Sequence, residues 1–147
     1  MAGDLPGAML FCCTMNAVRS VMAEAIMKHL FGRTVYIDSV GVRRGKLDLF
    51  AVAVMDEIGI DITRHRAKSF EDLDDDSFDL IISLSPESQH GAVQMTHSMA
   101  CEVEFWNTFD PTYVEGSREV RLTAFRQVRD DLMARIRERF GAPPHVV

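Results

Sequence analysis

Only three cysteines occur in the 147 residues, and two of them, Cys12 and Cys13, are adjacent. Such a set does not make a disulfide framework, so the fold must rest on its apolar core, and the free thiols point to a reducing compartment. No apolar run approaches the roughly 20 residues of a membrane span. The N-terminal sequence MAGDLPGA lacks the basic start and long apolar stretch of a secretory leader, so a cytoplasmic location is expected. Positive charge is scarce too: 16 Lys and Arg against 22 Asp and Glu leave a net charge of -6, which argues against nucleic acid or an anionic membrane as the main partner. Repeats and linker-like stretches are missing. What remains is 47% apolar and 26% charged, the balance of a globular protein. Residues 1–147 suffice for one well-buried core and are too few for two, so a single domain is expected.

The most informative stretch is Met9 to Ala25, MLFCCTMNAVRSVMAEA, which reads as an apolar strand, a polar loop and a helix start. A loop between strand and helix turns backbone N–H groups inward, and the first N–H groups of a helix have no internal partner. The concavity therefore attracts an oxyanion. Arg19 adds a planar, permanently charged fork able to hold two oxygens of a tetrahedral anion. The same positive potential favours the thiolate of Cys13, the nucleophilic form of a cysteine. The expected phosphate-binding loop comprises Thr14, Met15, Asn16, Ala17, Val18 and Arg19. Ser20 has two readings, as N-cap of the following helix or as a hydroxyl donor to the thiolate. Cys12, in the last position of the strand, reads as a buried core residue.

Taken in order, the chain alternates strands with helices. AMLFC, residues 8 to 12, is a continuous apolar run of the kind found where both faces of a parallel strand are covered. Helical spacing of Met22, Ile26 and Leu30 predicts a helix from Ser20 to Phe31, with Gly32 placed to end it. TVYIDSV, Thr34 to Val40, is the second expected strand. A basic loop, Val42 to Lys46, precedes a helix over about Asp48 to Ile58 with Gly59 as its stop. Ile60 and Ile62 are expected in the core. FDLIISL, Phe78 to Leu84, is the third strand; Pro86 suits the first turn of a helix running to about Thr96, and Cys101 to Trp106 is the fourth strand. Ser117 is a reasonable N-cap for a long helix with Leu122, Phe125, Val128, Leu132, Ile136 and Phe140 on one face, ended by Gly141 and Pro143-Pro144, after which the chain frays. The acidic run Glu71 to Asp76 reads as a solvated loop without the Gly and spacing of a calcium site. The fold class is α/β: a four-stranded parallel sheet with helices on both faces and the anion loop after the first strand, where such sheets bind ligands.

The pattern Phe11-x-Cys13-x-x-Asn16-x-x-Arg19-Ser20-x-Met22-Ala23-Glu24-Ala25, with Asp110-Pro111 near the other end, resembles the signature of the low-molecular-weight protein tyrosine phosphatase family over nearly the whole chain. The resemblance implies that Cys13 attacks phosphorus in line, that Arg19 binds the equatorial oxygens, and that Asp110 protonates the leaving oxygen and then activates water against a cysteinyl-phosphate. A carboxyl so placed contributes about 10²–10⁴-fold, and Pro111 would fix the backbone beside it. Asn16, Ser20, Ser39 and His65 match the family's supporting network, which holds the shape of a loop crowded with inward N–H groups. Asn16 is a residue type that tolerates left-handed backbone angles. No metal or cofactor is expected. The implied partners are a phosphorylated protein or small phosphomonoester, phosphate and other oxyanions.

Departures from the family pattern bear on specificity. Met15 stands where the family usually has Gly, Val18 where a second Cys precedes the Arg, and Val21 where Pro follows Arg-Ser. Val18 removes a thiol that in many relatives can trap an oxidised nucleophile as a disulfide. The positions that wall the substrate pocket in tyrosine phosphatases correspond to Ala17, the Arg43-Arg44-Gly45 stretch and Thr112, with Tyr113 left as the one ring, so a phenyl group finds little apolar surface. Relatives that dephosphorylate phosphoarginine resemble this family with Thr at the Ala17 position. The leading expectation is phosphomonoester hydrolysis, with phosphotyrosine in protein as the expected substrate. The alternatives are an arsenate reductase on the same scaffold using an external thiol, a phosphatase for another phosphorylated residue, and a non-enzymatic phosphate-binding module.

Overall fold

The computed structural model describes residues 5–74 and 77–142. Four parallel strands, β1 (Ala8–Cys13), β2 (Tyr36–Gly41), β3 (Leu80–Ser83) and β4 (Glu102–Phe105), form one sheet in the order β2-β1-β3-β4. Four helices connect and follow them: α1 (Arg19–Phe31), α2 (Leu49–Asp56), α3 (Pro86–Met95) and α4 (Arg118–Phe140). The α/β fold class read from the sequence is the observed one.

Strand β1 sits centrally, paired with β2 on one side and β3 on the other. Its side chains alternate between two cores, as the period of two demands. Met9, Phe11 and Cys13 join the larger core beneath α1, α2 and α4; Leu10 and Cys12 join a smaller one with Phe78, Ile81 and Ala92. Both faces are covered, which is why AMLFC shows no polar alternation.

Helix boundaries follow local chemistry. Asp48 caps α2 by accepting from the Phe50 amide, Ser85 caps α3 by accepting from Ser88, and Ser117 caps α4 by accepting from Val120. Pro86 occupies the first turn of α3, and Gly141 ends α4 with φ of +86°. Met22, Ile26 and Leu30 are buried, as are Ile60 and Ile62. Strand β1 runs one residue further than its apolar run suggested, so Cys13 closes it, and β2 starts two residues later than Thr34. In the acidic run, Glu71 and Asp72 belong to a short 3-10 turn, Phe70–Asp72. Asp75, Asp76, Pro143-Pro144 and the expected frayed end lie outside the described residues.

Candidate active site

Helix α1 differs from the other three at its start. Its N-cap residue is Val18, and no side chain caps it. The Ser20 N-cap reading is therefore corrected: Asn16 adopts a left-handed φ of 52° and turns the chain early, so the helix begins at Arg19 and Ser20 lies within its first turn. The amides of residues 14–18 find no acceptor among the described residues. The carbonyls face away and are tied from behind: Val42 N–H donates to Cys13 O (3.1 Å), Arg43 to Thr14 O (2.9 Å), Gly45 to Met15 O (2.7 Å) and Asp48 to Ala17 O (3.3 Å). Carbonyls bound outward leave the N–H dipoles pointing inward, the arrangement of an anion nest. Close approach needs Gly41, where a Cβ would sit 2.6 Å from the Asn16 nitrogen.

Cys13 is buried at the floor of a cavity of about 180 Å³ lined also by Met15, Ala17, Val18, Arg19, Gly45, Lys46, Asp48, Asp110 and Thr112. Its sulfur lies 2.9 Å from Ser20 Oγ. The surroundings of that hydroxyl are set by Asn16. Lys68 N–H donates to Asn16 Oδ1 (2.9 Å), which fixes the amide so that Asn16 Nδ2 donates to both Ser20 Oγ (2.8 Å) and Ser39 Oγ (2.9 Å). A Cys13 thiolate has no proton to give, so in that form of the site Ser20 Oγ, which accepts from Asn16, donates to the sulfur. His65 Nε2, 3.0 Å from Asn16 Oδ1, is by the same logic the donor. Burial, the dominant influence, lowers the His65 pKa despite the nearby Glu24 carboxylate, consistent with a neutral ring. Ser39 Oγ donates a short bond to Glu24 Oε1, and Glu24 is paired with Lys28 (2.5 Å). The structure thus brings Asn16, Ser20, Ser39 and His65 into one network behind the nucleophile. Glu24 and Lys68 belong to it as well and were missed from sequence; a Glu on the apolar side of α1 was the available signal.

Arg19 is buried at 7% exposure. One good bond, Nη1 to Thr108 O (3.1 Å), holds it, while Nη2 lies 3.4 Å from Thr14 Oγ1 and 3.5 Å from Asp110 Oδ2. Two of its five N–H groups therefore stay uncommitted and available to an oxyanion. Asp110 caps the 3-10 turn Pro111–Tyr113, its Oδ1 accepting from Thr112 N (3.0 Å) and Oγ1 (2.7 Å), which leaves Oδ2 toward Arg19.

The expected substrate wall needs correction at three places. Tyr113 is 78% exposed and does not line the cavity, because the turn after Pro111 projects it into solvent. Arg43 and Arg44 are also outside it; Arg44 reaches to Asp72 (3.6 Å), and the wall is made by Gly45 and Lys46 instead. Ala17 and Thr112 do line it. Cys101 sits in a separate, larger cavity with Leu5, Asp79, Arg135 and Arg139. It precedes Glu102, whose register partner Leu80 pairs with Met9, so it lies near the opposite end of the sheet from Cys13.

Comparison with known proteins agrees with this geometry. The family profile described as low molecular weight phosphotyrosine protein phosphatase matches residues 8–140. An arsenate reductase from Shouchella clausii is 33% identical over 129 residues, covering 87% of this chain and 91% of the relative. Among solved structures, an arsenate reductase in an oxidised state superposes with a TM-score of 0.74 at 27% identity, covering 89% of this chain and 94% of that one. A tyrosine phosphatase from Erwinia amylovora shares the fold with a TM-score of 0.72 at 20% identity, over 94% and 93% of the two chains. With an uncapped helix start, an inward arginine and a buried thiol at the positions that the profile spans, this chain belongs to the low molecular weight phosphotyrosine protein phosphatase family, a superfamily of enzymes that includes phosphatases and arsenate reductases.

Proposed function

We propose that the protein is a cysteine-dependent phosphatase acting on phosphomonoesters through a cysteinyl-phosphate. The observation that carries this reading is the presence of Cys13, Arg19 and the Asp110 carboxylate in one cavity, with Asp110 locked by Thr112 and turned toward Arg19. A phosphatase needs an acid at that place; oxyanion capture alone does not. The Cys13 thiolate, supported by the Ser20 hydroxyl, attacks phosphorus, the P–S bond forms as the ester P–O bond breaks, and protonated Asp110 gives its proton to the leaving oxygen. Asp110, now a carboxylate, takes a proton from water, whose oxygen attacks phosphorus and releases the thiolate. Arg19 and the loop amides hold the equatorial oxygens in both steps. Phosphotyrosine in protein is the proposed substrate, and the unpaired thiols fit a reducing, cytoplasmic setting.

A second reading, arsenate reduction with an external thiol, is favoured by one feature: the cavity wall of Ala17, Gly45, Lys46 and Thr112 offers no ring, yet a bare tetrahedral oxyanion needs none. Two electrons must come from two thiols. Cys12 lies on the other face of β1 and Cys101 near the far end of the sheet, so the second thiol would come from outside the chain. The test is hydrolysis of p-nitrophenyl phosphate and a phosphotyrosine peptide side by side, with arsenate plus glutathione as a third arm and Cys13→Ser as control. Hydrolysis of both esters, lost in Cys13→Ser, is expected. Arsenate reduction without ester hydrolysis overturns the phosphatase reading.

A further inference from the structure

A second polar cluster, which the chemistry above does not use, lies at the end of β3 and the start of α3. Ser83, Ser85 and Ser88 are all fully buried there. We propose that Ser85 is a positioning residue for Arg19: by accepting the hydrogen bond of the Thr14 hydroxyl it fixes the acceptor for Nη2, the second point after Thr108 O that orients the guanidinium, and so tunes the affinity of the loop for an oxyanion. The inference rests on the loop being an oxyanion cradle and holds for either a phosphate ester or arsenate.

Directions of the bonds carry the argument. A guanidinium can only donate, so in the 3.4 Å contact between Arg19 Nη2 and Thr14 Oγ1 the threonine accepts. Its own proton then goes to Ser85 Oγ at 3.1 Å. Ser85 passes a proton on to Ser88 Oγ at 3.0 Å, whose own single proton has Ser83 Oγ (2.8 Å), Ser85 O (3.0 Å) and the Cys12 carbonyl (3.2 Å) within reach. The chain of hydroxyls starts at the arginine, passes through the residue just after the nucleophile and ends in the serine cluster at the start of α3. Ser83 steadies it from below, donating to Ser85 O at 3.1 Å. Bonds in series within a dry interior polarise one another, and a break in the middle is felt at both ends. Without Ser85 the Thr14 hydroxyl is free to rotate, and the long bond from Arg19 loses a fixed acceptor.

Ser85 is also the N-cap of α3, accepting from Ser88 N at 3.3 Å. Separating the two roles is straightforward, because glycine caps a helix nearly as well as serine but brings no hydroxyl. Binding of inorganic phosphate by calorimetry is measured for the wild type, Ser85→Gly, Thr14→Val and the double variant, with urea midpoints alongside. Ser85→Gly is expected to weaken phosphate binding about three- to tenfold, the size of one lost neutral hydrogen bond, with a midpoint near that of the wild type. The double variant is expected to bind no more weakly than Thr14→Val alone, since Ser85 acts through Thr14. Ser85→Ala, which keeps a Cβ in place, is the second variant should the glycine protein not fold. Wild-type phosphate affinity in either variant, or losses that add in the double variant, overturns the proposal while leaving the cradle intact. A wild-type protein that binds no phosphate overturns the cradle and this proposal together, whatever the hydrolysis assay gives.

Discussion

Cys12 and Cys13 are one residue apart and face opposite sides of the same strand. The Cys12 sulfur points into the smaller core, 3.8 Å from the Ile82 carbonyl and 4.0 Å from that of Ser88, and burial, outweighing the nearby Ser88 and Ser83 hydroxyls, pushes its pKa up to about 12. The Cys13 sulfur is nearly as buried, yet it meets the Ser20 hydroxyl at 2.9 Å and opens onto a cavity with Arg19. On the proposed mechanism, burial therefore does not separate the idle thiol from the nucleophile. Hydroxyls lie beside both sulfurs; what separates them is that Cys13 opens onto a cavity shared with Arg19, and the period of two in a strand lets adjacent residues differ in this respect.

The sharpest way to break the comparison is to exchange sulfur for oxygen at each position. Cys13→Ser is expected to abolish p-nitrophenyl phosphate hydrolysis while keeping phosphate binding, whereas Cys12→Ser keeps turnover within a few-fold; equal losses in steady-state assays would erase the distinction. Asp110→Asn comes next, with an expected loss of about 10²–10⁴-fold on alkyl phosphates and a much smaller one on p-nitrophenyl phosphate, whose leaving group needs little protonation. Uniform losses across leaving groups would remove Asp110 from the acid role. Ser20→Ala sharpens the contrast at one hydrogen bond: alkylation of Cys13 by iodoacetamide at neutral pH is expected to slow about three- to tenfold, with Cys12 unlabelled in either protein by mass spectrometry. The smallest effect is on stability. In the unfolded chain the Cys12 thiol titrates near 9.0, in the folded one at about 12. Between these values the folded state keeps the extra proton, so the Cys12 contribution to stability is whole below the first and is lost as pH rises toward the second. Urea midpoints compared at neutral pH and under alkaline conditions should therefore fall less steeply in Cys12→Ala than in the wild type.

How much of this was legible in the sequence depends on how far each feature reaches along the chain. The sheet, the four helices and the caps at Ser117 and Gly141 follow from patterns within a few residues, and they stand as expected. Asn16 in the left-handed region was legible too, but its consequence was not: the early turn starts α1 at Arg19 and takes Ser20 out of the cap. Tyr113 looked like a wall because it follows Asp-Pro, yet a 3-10 turn of three residues carries its ring outward. The serine cluster was invisible, since Thr14 and Ser85 are 71 positions apart and nothing local marks a hydroxyl as buried. Glu24 carried one local mark, a carboxyl on the apolar side of α1, but its partners Ser39 and His65 come from other segments, so its place in the network was not legible.

Surface connections usually tolerate insertions, but the connection between β2 and α2 is an exception. Its amides at Val42, Arg43, Gly45 and Asp48 grip the carbonyls of residues 13, 14, 15 and 17 along the back of the anion loop. Like the teeth of a key, they must arrive in register, and position 45 must stay narrow because a Cβ there would lie 2.9 Å from that of Met15. One added or deleted residue would slide every tooth out of its notch, so the length of this connection is part of the specification of the site.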